Sequence, residues 1–262
     1  MLLEAPPMLA RAASCLALVT PCVLIGALIF ASACDGDLTA PSGSTPDAAL
    51  ESGVQRDASS VEDADADPPD PCSGKAFCDD FDDGTFQKPW DDYRSSGDAL
   101  SELVTDDVRS APNALRITTT DPDASSPFAE LSKFVQMGPT KTTSSFEFDA
   151  KIDRSKGMTA FAALTGLRTL MVTTDSKLLV FDLEDGGGVT VTQPFAKPLP
   201  SGAWFRIRLV LAPSEGKGRV YVDGELVADV TMTFPAANVQ CRLLVAFGEA
   251  TVRYDNATLT LD

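Results

Sequence analysis

Three short stretches hold residue types that could do chemistry. In CDDFDDG, Cys78 to Gly84, four aspartates flank one phenylalanine directly after a cysteine, a composition suited to a calcium loop or a carboxylate site. An EF-hand register fails there, because Gly84 in the sixth loop position puts Phe81 third and Trp90 twelfth, and neither aromatic can ligate calcium. In FEFDAKID, strand alternation gives Glu147, Asp149, Lys151 and Asp153 one face; a pair of carboxyl groups about 5 Å apart could act there as nucleophile and acid/base in glycoside cleavage. A further acidic cluster, FDLEDGGG, runs into three glycines and reads as a loop, with Asp182 and Glu184 candidates by type alone. In WFRIRL, alternation buries Phe205, Ile207 and Leu209 and turns Trp204, Arg206 and Arg208 the other way. Tyr221 joins them if the following hairpin puts Val220 and Val222 inside, and an aromatic platform beside hydrogen-bonding side chains is what a sugar-binding face needs.

Each stretch also has a plainer reading. The acids after Phe146 suit a solvated strand face balanced by Lys151, and Phe81 suits a core anchor whose neighbouring aspartates face water. Trp204, at the start of a strand, suits packing over a sheet edge.

Composition narrows the chemistry further. The chain has no histidine, which removes Ser-His-Asp and Cys-His catalysis, histidine-ligated zinc or haem, and any imidazole base. A net charge of −17 with no basic run argues against nucleic acid as a partner. The 262 residues, 44% of them hydrophobic, are ample for a packed core.

The N-terminal AASCLALVTPCVLIGALIFASA, residues 12–33, is a continuous run of low polarity after Arg11 that ends in small residues before Cys34, the pattern of an export signal. Ala31-Ser32-Ala33-Cys34 resembles the lipobox of bacterial lipoproteins, which implies a diacylated Cys34 as the mature N-terminus and a lipid anchor in the cell envelope. Alanine stands where leucine is usual, and Glu4 offsets Arg11. Cleavage after the A-x-A site, and an uncleaved helix of about 20 apolar residues spanning the bilayer, stand beside that reading.

From residue 34 to residue 71 the composition turns to Ala, Ser, Pro and acid, with too little apolar surface to fold. Ten acids against Arg56 alone give this stretch −9, so it reads as an extended, self-repelling tether. The domain boundaries expected are a signal peptide at 1–33, a disordered linker at 34–71 and a folded domain at 72–262. Export favours oxidation, and Cys72 and Cys78 enclose a short loop at the domain entrance, which pairs them and leaves Cys241 as a buried thiol; a bridge from Cys241 to either is the alternative.

The chemistry-bearing stretches must be positioned by strands. From Cys72 on, apolar-alternating runs are separated by turn residues roughly every 8 to 12 positions, without helical periodicity. LSELVT, ALRITTT, SSFEFDAKID, TLMVTTDSKLLVFDL, GVTVT, WFRIRLVL, GRVYVDGELVADV, CRLLVAF and TVRYDNATLTL read as strands or hairpins. Asp223-Gly224 fits a two-residue turn with positive φ at both positions, and Asp175-Ser176 is a weaker case. The expectation is on the order of twelve strands in a jelly-roll β-sandwich.

FCDDFDDG followed by Trp90, SAPNAL before a strand, WFRIRLVL, the RVYVDGELV hairpin and the closing VRYDNATL together resemble the concanavalin A-like lectin/glucanase superfamily, in its laminin-G-like jelly-roll branch, over Ala76 to Leu261. The resemblance implies an all-β, antiparallel jelly roll, a fold that hosts lectins, adhesion modules and glycosidases alike. Related glucanases carry Glu-x-Asp-x-Glu on one strand face, but here Lys151, or Ile152 after a bulge, stands at the second catalytic position. The resemblance also implies a structural calcium where the first and last strands meet, with Asp255 beside Asn256 on the last strand and Asp82 or Asp80 as its partner. The function expected is a lectin-like binding or adhesion module for a polysaccharide or glycan, with Trp204, Arg206, Arg208 and Tyr221 as the binding face. The rivals are an atypical glycosidase using Glu147, Asp149 or Asp153, and a structural envelope protein.

Overall fold

The computed structural model describes residues 72–120, 127–182, 188–232 and 238–262. The signal segment, Cys34, the acidic linker and Glu184 lie outside them. Among the described residues fifteen strands form two antiparallel sheets. The eight-stranded sheet runs β13 (Glu225–Thr231), β12 (Lys217–Val222), β11 (Trp204–Ala212), β6 (Ser144–Lys156), β15 (Glu249–Leu261), β4 (Ala114–Thr119) and β3 (Leu100–Val104). The short β1 (Phe77–Asp79) joins it by pairing with the second half of β15, beyond the part that β4 holds. The seven-stranded sheet runs β10 (Val189–Pro194), β9 (Lys177–Asp182), β8 (Arg168–Thr173), β7 (Ala160–Thr165), β14 (Asn238–Ala246), β5 (Phe128–Gln136) and β2 (Asp92–Ser96). Order and direction are those of a jelly-roll β-sandwich.

Period-two alternation builds the core. On β6, Phe146, Phe148, Ala150 and Ile152 point inward, as do Phe205, Ile207 and Leu209 on β11 and Val252, Tyr254 and Leu259 on β15. They meet Phe161, Leu164, Leu170, Val172, Leu243 and Val245 of the facing sheet. Tyr254 ties the two layers together, because its hydroxyl sits 2.9 Å from the Phe161 carbonyl and 2.7 Å from that of Leu244 and donates its one proton between them. Burial holds that phenol well above its ordinary value.

Fifteen strands exceed the twelve or so expected, and the extra ones break simple alternation. β7, AFAALT, is buried at every position, since Ala163 joins Met171, Leu179 and Leu244 in a second apolar cluster on the outer side of its sheet. β2, DYRSS, packs only the Tyr93 ring against the core and is held as a strand by its pairing with β5. The hairpin joining β12 to β13 has Asp223 at φ 49° and Gly224 at φ 82°, the pair of left-handed residues that a tight two-residue turn demands.

Cys72 and Cys78 are joined by a disulfide, and Cys241 is a free thiol buried on β14. Burial pushes that thiol far up, which makes it a packing group and not a nucleophile.

Candidate functional site

The outer face of the eight-stranded sheet collects the charged residues singled out from the sequence, and strand register decides which of them meet. Three rows cross β6, β11 and β15: Lys151 lies opposite Trp204 and Arg253, Asp149 opposite Arg206 and Asp255, and Glu147 opposite Arg208 and Thr258. Tyr221 of β12 then lies opposite Arg208. Val220 points fully into the core and Val222 partly so, which leaves Tyr221 on the outer face with the arginines.

At the Lys151 end the 105–113 loop folds down and the charges pair off. Asp107 accepts a hydrogen bond from Trp204 Nε1 at 3.1 Å and a second from Lys151 Nζ, which holds its carboxyl below the usual range. Arg253 bridges Asp153 (2.7 Å) and Asp106 (3.2 Å). Trp204 is therefore pinned to the loop through its indole N–H.

In the middle row the two acids are sealed. Asp149 is 1% exposed although it sits on the outer face, which corrects the expectation of a solvated row of acids. Arg206 grips it with two bonds, Nε to Oδ1 at 3.0 Å and Nη2 to Oδ2 at 2.7 Å, and Asn256 Nδ2 donates at 2.9 Å. Asn256 reaches over because β15 bulges there, with Asn256 at φ 51°. Asp255, fully buried, accepts from the backbone N–H groups of Arg109 (3.1 Å) and Ser110 (2.8 Å), from the Ser110 hydroxyl (2.9 Å) and from the Asn256 N–H (2.8 Å). Burial nevertheless pushes its carboxyl up to about 6.

These contacts also locate the proposed calcium ligands. Asp82 Oδ1 accepts from the Asn113 N–H at 2.9 Å, so Asp82 and Asp255 hold two ends of the same loop segment directly. Calcium takes six to eight oxygens, and among the described residues no group of three or more His, Cys, Asp or Glu side chains gathers that could hold a metal ion.

The aspartates of CDDFDDG shape a turn. Asp79, Asp80 and Asp83 each accept a hydrogen bond from the backbone N–H two residues on, at 2.9, 3.1 and 2.9 Å. The turn puts Phe81 at φ 64° with its ring wholly buried. Asp79 does not face water: it is buried, its Oδ2 accepts from Trp90 Nε1 at 2.6 Å, and burial raises its carboxyl to about 7.

At the opposite end of the rows the face is open. A hollow of about 300 Å³ is lined by Lys75, Ser145, Glu147, Arg208, Tyr221, Thr258, Thr260 and Asp262, together with Thr143 and Val210. A second, of about 240 Å³, shares Glu147, Arg208 and Tyr221 and adds Arg206 and Gly224. The Arg208 guanidinium stacks on the Tyr221 ring, 4.3 Å from its centre. Lys75 Nζ donates to Thr260 Oγ1 at 3.2 Å. Of the four residues expected to form one binding face, the structure thus brings Arg206, Arg208 and Tyr221 together and puts Trp204 at the far end. Lys75 and Glu147 complete the hollow; Lys75 was missed because it precedes β1 in sequence and reaches the site only through the pairing of β1 with β15.

Of the acids considered for glycoside cleavage, Glu147 lines the hollow, Asp149 is sealed beneath Arg206, and Asp153 is paired to Arg253 at the other end. Asp182 lies on the other sheet, bonded to Arg168.

No known protein family matches the chain, and no curated protein does. Solved structures match it in fold. An endo-β-1,4-glucuronan lyase from the fungus Trichoderma reesei superposes with a TM-score of 0.55 at 16% identity, over 72% of this chain and 96% of that one. A GlcNAcα1-4Gal-releasing endo-β-galactosidase from Clostridium perfringens gives 0.51 at 12% identity, over 73% and 64%. A carbohydrate-binding module from Bacillus subtilis aligns at 0.42 and 14% identity, over 64% and 94%. Identities this low establish a shared jelly-roll sandwich and nothing finer.

Proposed function

We propose that the domain is a carbohydrate-binding module carried at the cell envelope by a lipid on Cys34 and held off the membrane by the acidic linker. The observation that carries the binding reading is the hollow around the Arg208–Tyr221 stack. Donors (Lys75, Arg208), acceptors (Glu147) and hydroxyls (Ser145, Thr258, Thr260) line one shallow surface there, in the mixture that sugar hydroxyls call for. The names of two structural neighbours, a glucuronan lyase and an endo-β-galactosidase, support a carbohydrate ligand by analogy of fold. The anchor rests on sequence: an apolar run, small residues, a cysteine, then a chain too acidic to fold.

Polysaccharide pull-down and a glycan array test the first part. Tyr221→Ala should lose binding, while Trp204→Ala should keep it, because Trp204 serves the loop at the other end of the face. Binding lost with Trp204→Ala and kept with Tyr221→Ala would move the site. For the anchor, metabolic labelling with a fatty acid should mark the wild type and miss Cys34→Ser; equal labelling of both would remove the lipoprotein reading.

A further inference from the structure

The ligand class follows from which groups in the hollow lack partners. Elsewhere on this face the cations are matched: Arg116 by Glu102, Lys151 by Asp107, Arg206 by Asp149, Lys217 by Asp229, Arg219 by Glu215 and Arg253 by Asp153. Among the described residues, Arg208 and Lys75 have no carboxylate within ion-pair distance, and both line the hollow. Two acids share that lining, but Glu147 is turned to Arg206 at 3.6 Å and neither it nor Asp262 reaches Arg208 or Lys75.

The stack decides what Arg208 can do. A neutral sugar is usually held by lying flat on an aromatic ring, but the Arg208 guanidinium already covers the Tyr221 ring. A guanidinium stacked by its face keeps its N–H donors in the plane, pointing outward from its edge. That fork matches a carboxylate with two parallel bonds, a charge-assisted contact roughly twice as strong as a neutral one. Glu147, an acceptor beside it, suits the hydroxyls of the same sugar ring. The protein as a whole carries −17 and its tether −9, so general attraction for polyanions is absent and any binding of one must be local to this hollow.

The geometry points to an acidic saccharide as the ligand, a uronate whose carboxylate sits on Arg208 near Lys75 while its hydroxyls are accepted by Glu147. This rests on the carbohydrate-binding reading given above and narrows it.

Glucuronan, polygalacturonate and alginate, each beside its carboxyl-reduced form, provide the test on the full-length protein. At least one uronate polymer should bind tenfold or more tightly than its reduced counterpart. Arg208→Gln should abolish that preference, Arg208→Lys should restore it in part, and Lys88→Gln, an equal charge change outside the hollow, should leave it intact, with melting curves confirming that every variant folds. Equal binding of the native and reduced polymers, still dependent on Tyr221, would overturn the acidic ligand and leave carbohydrate binding standing. Binding of neither form of any polymer would overturn both.

Discussion

β6, β11 and β15 carry the same alternating polar pattern from one end of the sheet to the other, yet the two ends of their outer face differ in kind. At the Lys151 end every charge named in the rows has a partner, supplied largely by the 105–113 loop. At the Arg208 end no loop descends among the described residues, a hollow of about 300 Å³ remains, and Arg208 and Lys75 face it with no described carboxylate as ion-pair partner. Buried, saturated charge contributes to specifying the fold; unpaired charge in an open hollow contributes little to it and is available to a ligand. A polar strand face therefore divides into structural and functional parts according to what covers it.

The sharpest test of that division compares two arginines two residues apart. Arg206→Ala strips the buried Asp149 of its bidentate partner, leaving Asn256 as its remaining close donor and Arg109 4.0 Å away. Removing one member of a fully buried pair costs about 3–5 kcal/mol; here only Asp149 is buried, the Arg206 side chain being 48% exposed, and Arg109 is near enough to move in, so the expected loss is about 2 kcal/mol, read as a lowered midpoint in urea unfolding. Arg208→Ala, which gives up only the contact with the Tyr221 ring, should change stability by about 1 kcal/mol or less. Equal losses for the two would erase the distinction between the ends.

Proton linkage gives a second contrast. Asp255, at the sealed end, has its carboxyl raised from 3.8 to about 6 by burial. Because the folded state holds this proton more tightly than the unfolded state, the contribution is fully present below the ordinary carboxylate value and is lost as pH rises through about 6. Stability should fall over that window by up to about 1.4 kcal/mol per pH unit. Asp79, raised to about 7, acts with the same sign and extends the fall to higher pH. Urea midpoints at pH 4, 5 and 6 should show Asp255→Asn with a flatter profile than wild type, and an unchanged slope would mean that Asp255 does not carry the effect.

How much of this was legible beforehand follows the same line. Alternation in FEFDAKI and WFRIRL gave the inward and outward sets correctly, and Asp223-Gly224 gave its turn, because these are local consequences of strand geometry. AFAALT escaped because a strand buried on both faces has no alternation to show. The fate of the outward residues was not legible. Trp204 and Tyr221 look equivalent in sequence, and only the descent of the 105–113 loop pins one and leaves the other open. Asp149 reads as a surface acid until the bulge at Asn256 turns an amide over it. Lys75 entered the hollow through a long-range pairing that no local pattern announces.

The smallest expected effect concerns the loop that makes the difference between the ends. If calcium held the 105–113 segment through Asp82 and Asp255, chelation would free it, and stability would drop by the mass-action term for a lost ligand. The segment is instead fastened by direct bonds: Asp82 to the Asn113 N–H, and Asp255 to the N–H groups of Arg109 and Ser110 and to the Ser110 hydroxyl. With those oxygens already engaged and no metal-holding group of three acids among the described residues, EDTA should move the melting temperature by less than about 1 °C, well under the 4–8 °C that 1 kcal/mol produces in a domain of 60–100 residues and the 2–4 °C in a larger one. Ser110→Ala should lower it measurably under the same conditions, since it removes a bond to a buried carboxylate. A fall of several degrees on chelation, reversed by added calcium, would show that an ion and not the carboxylates alone closes the sealed end.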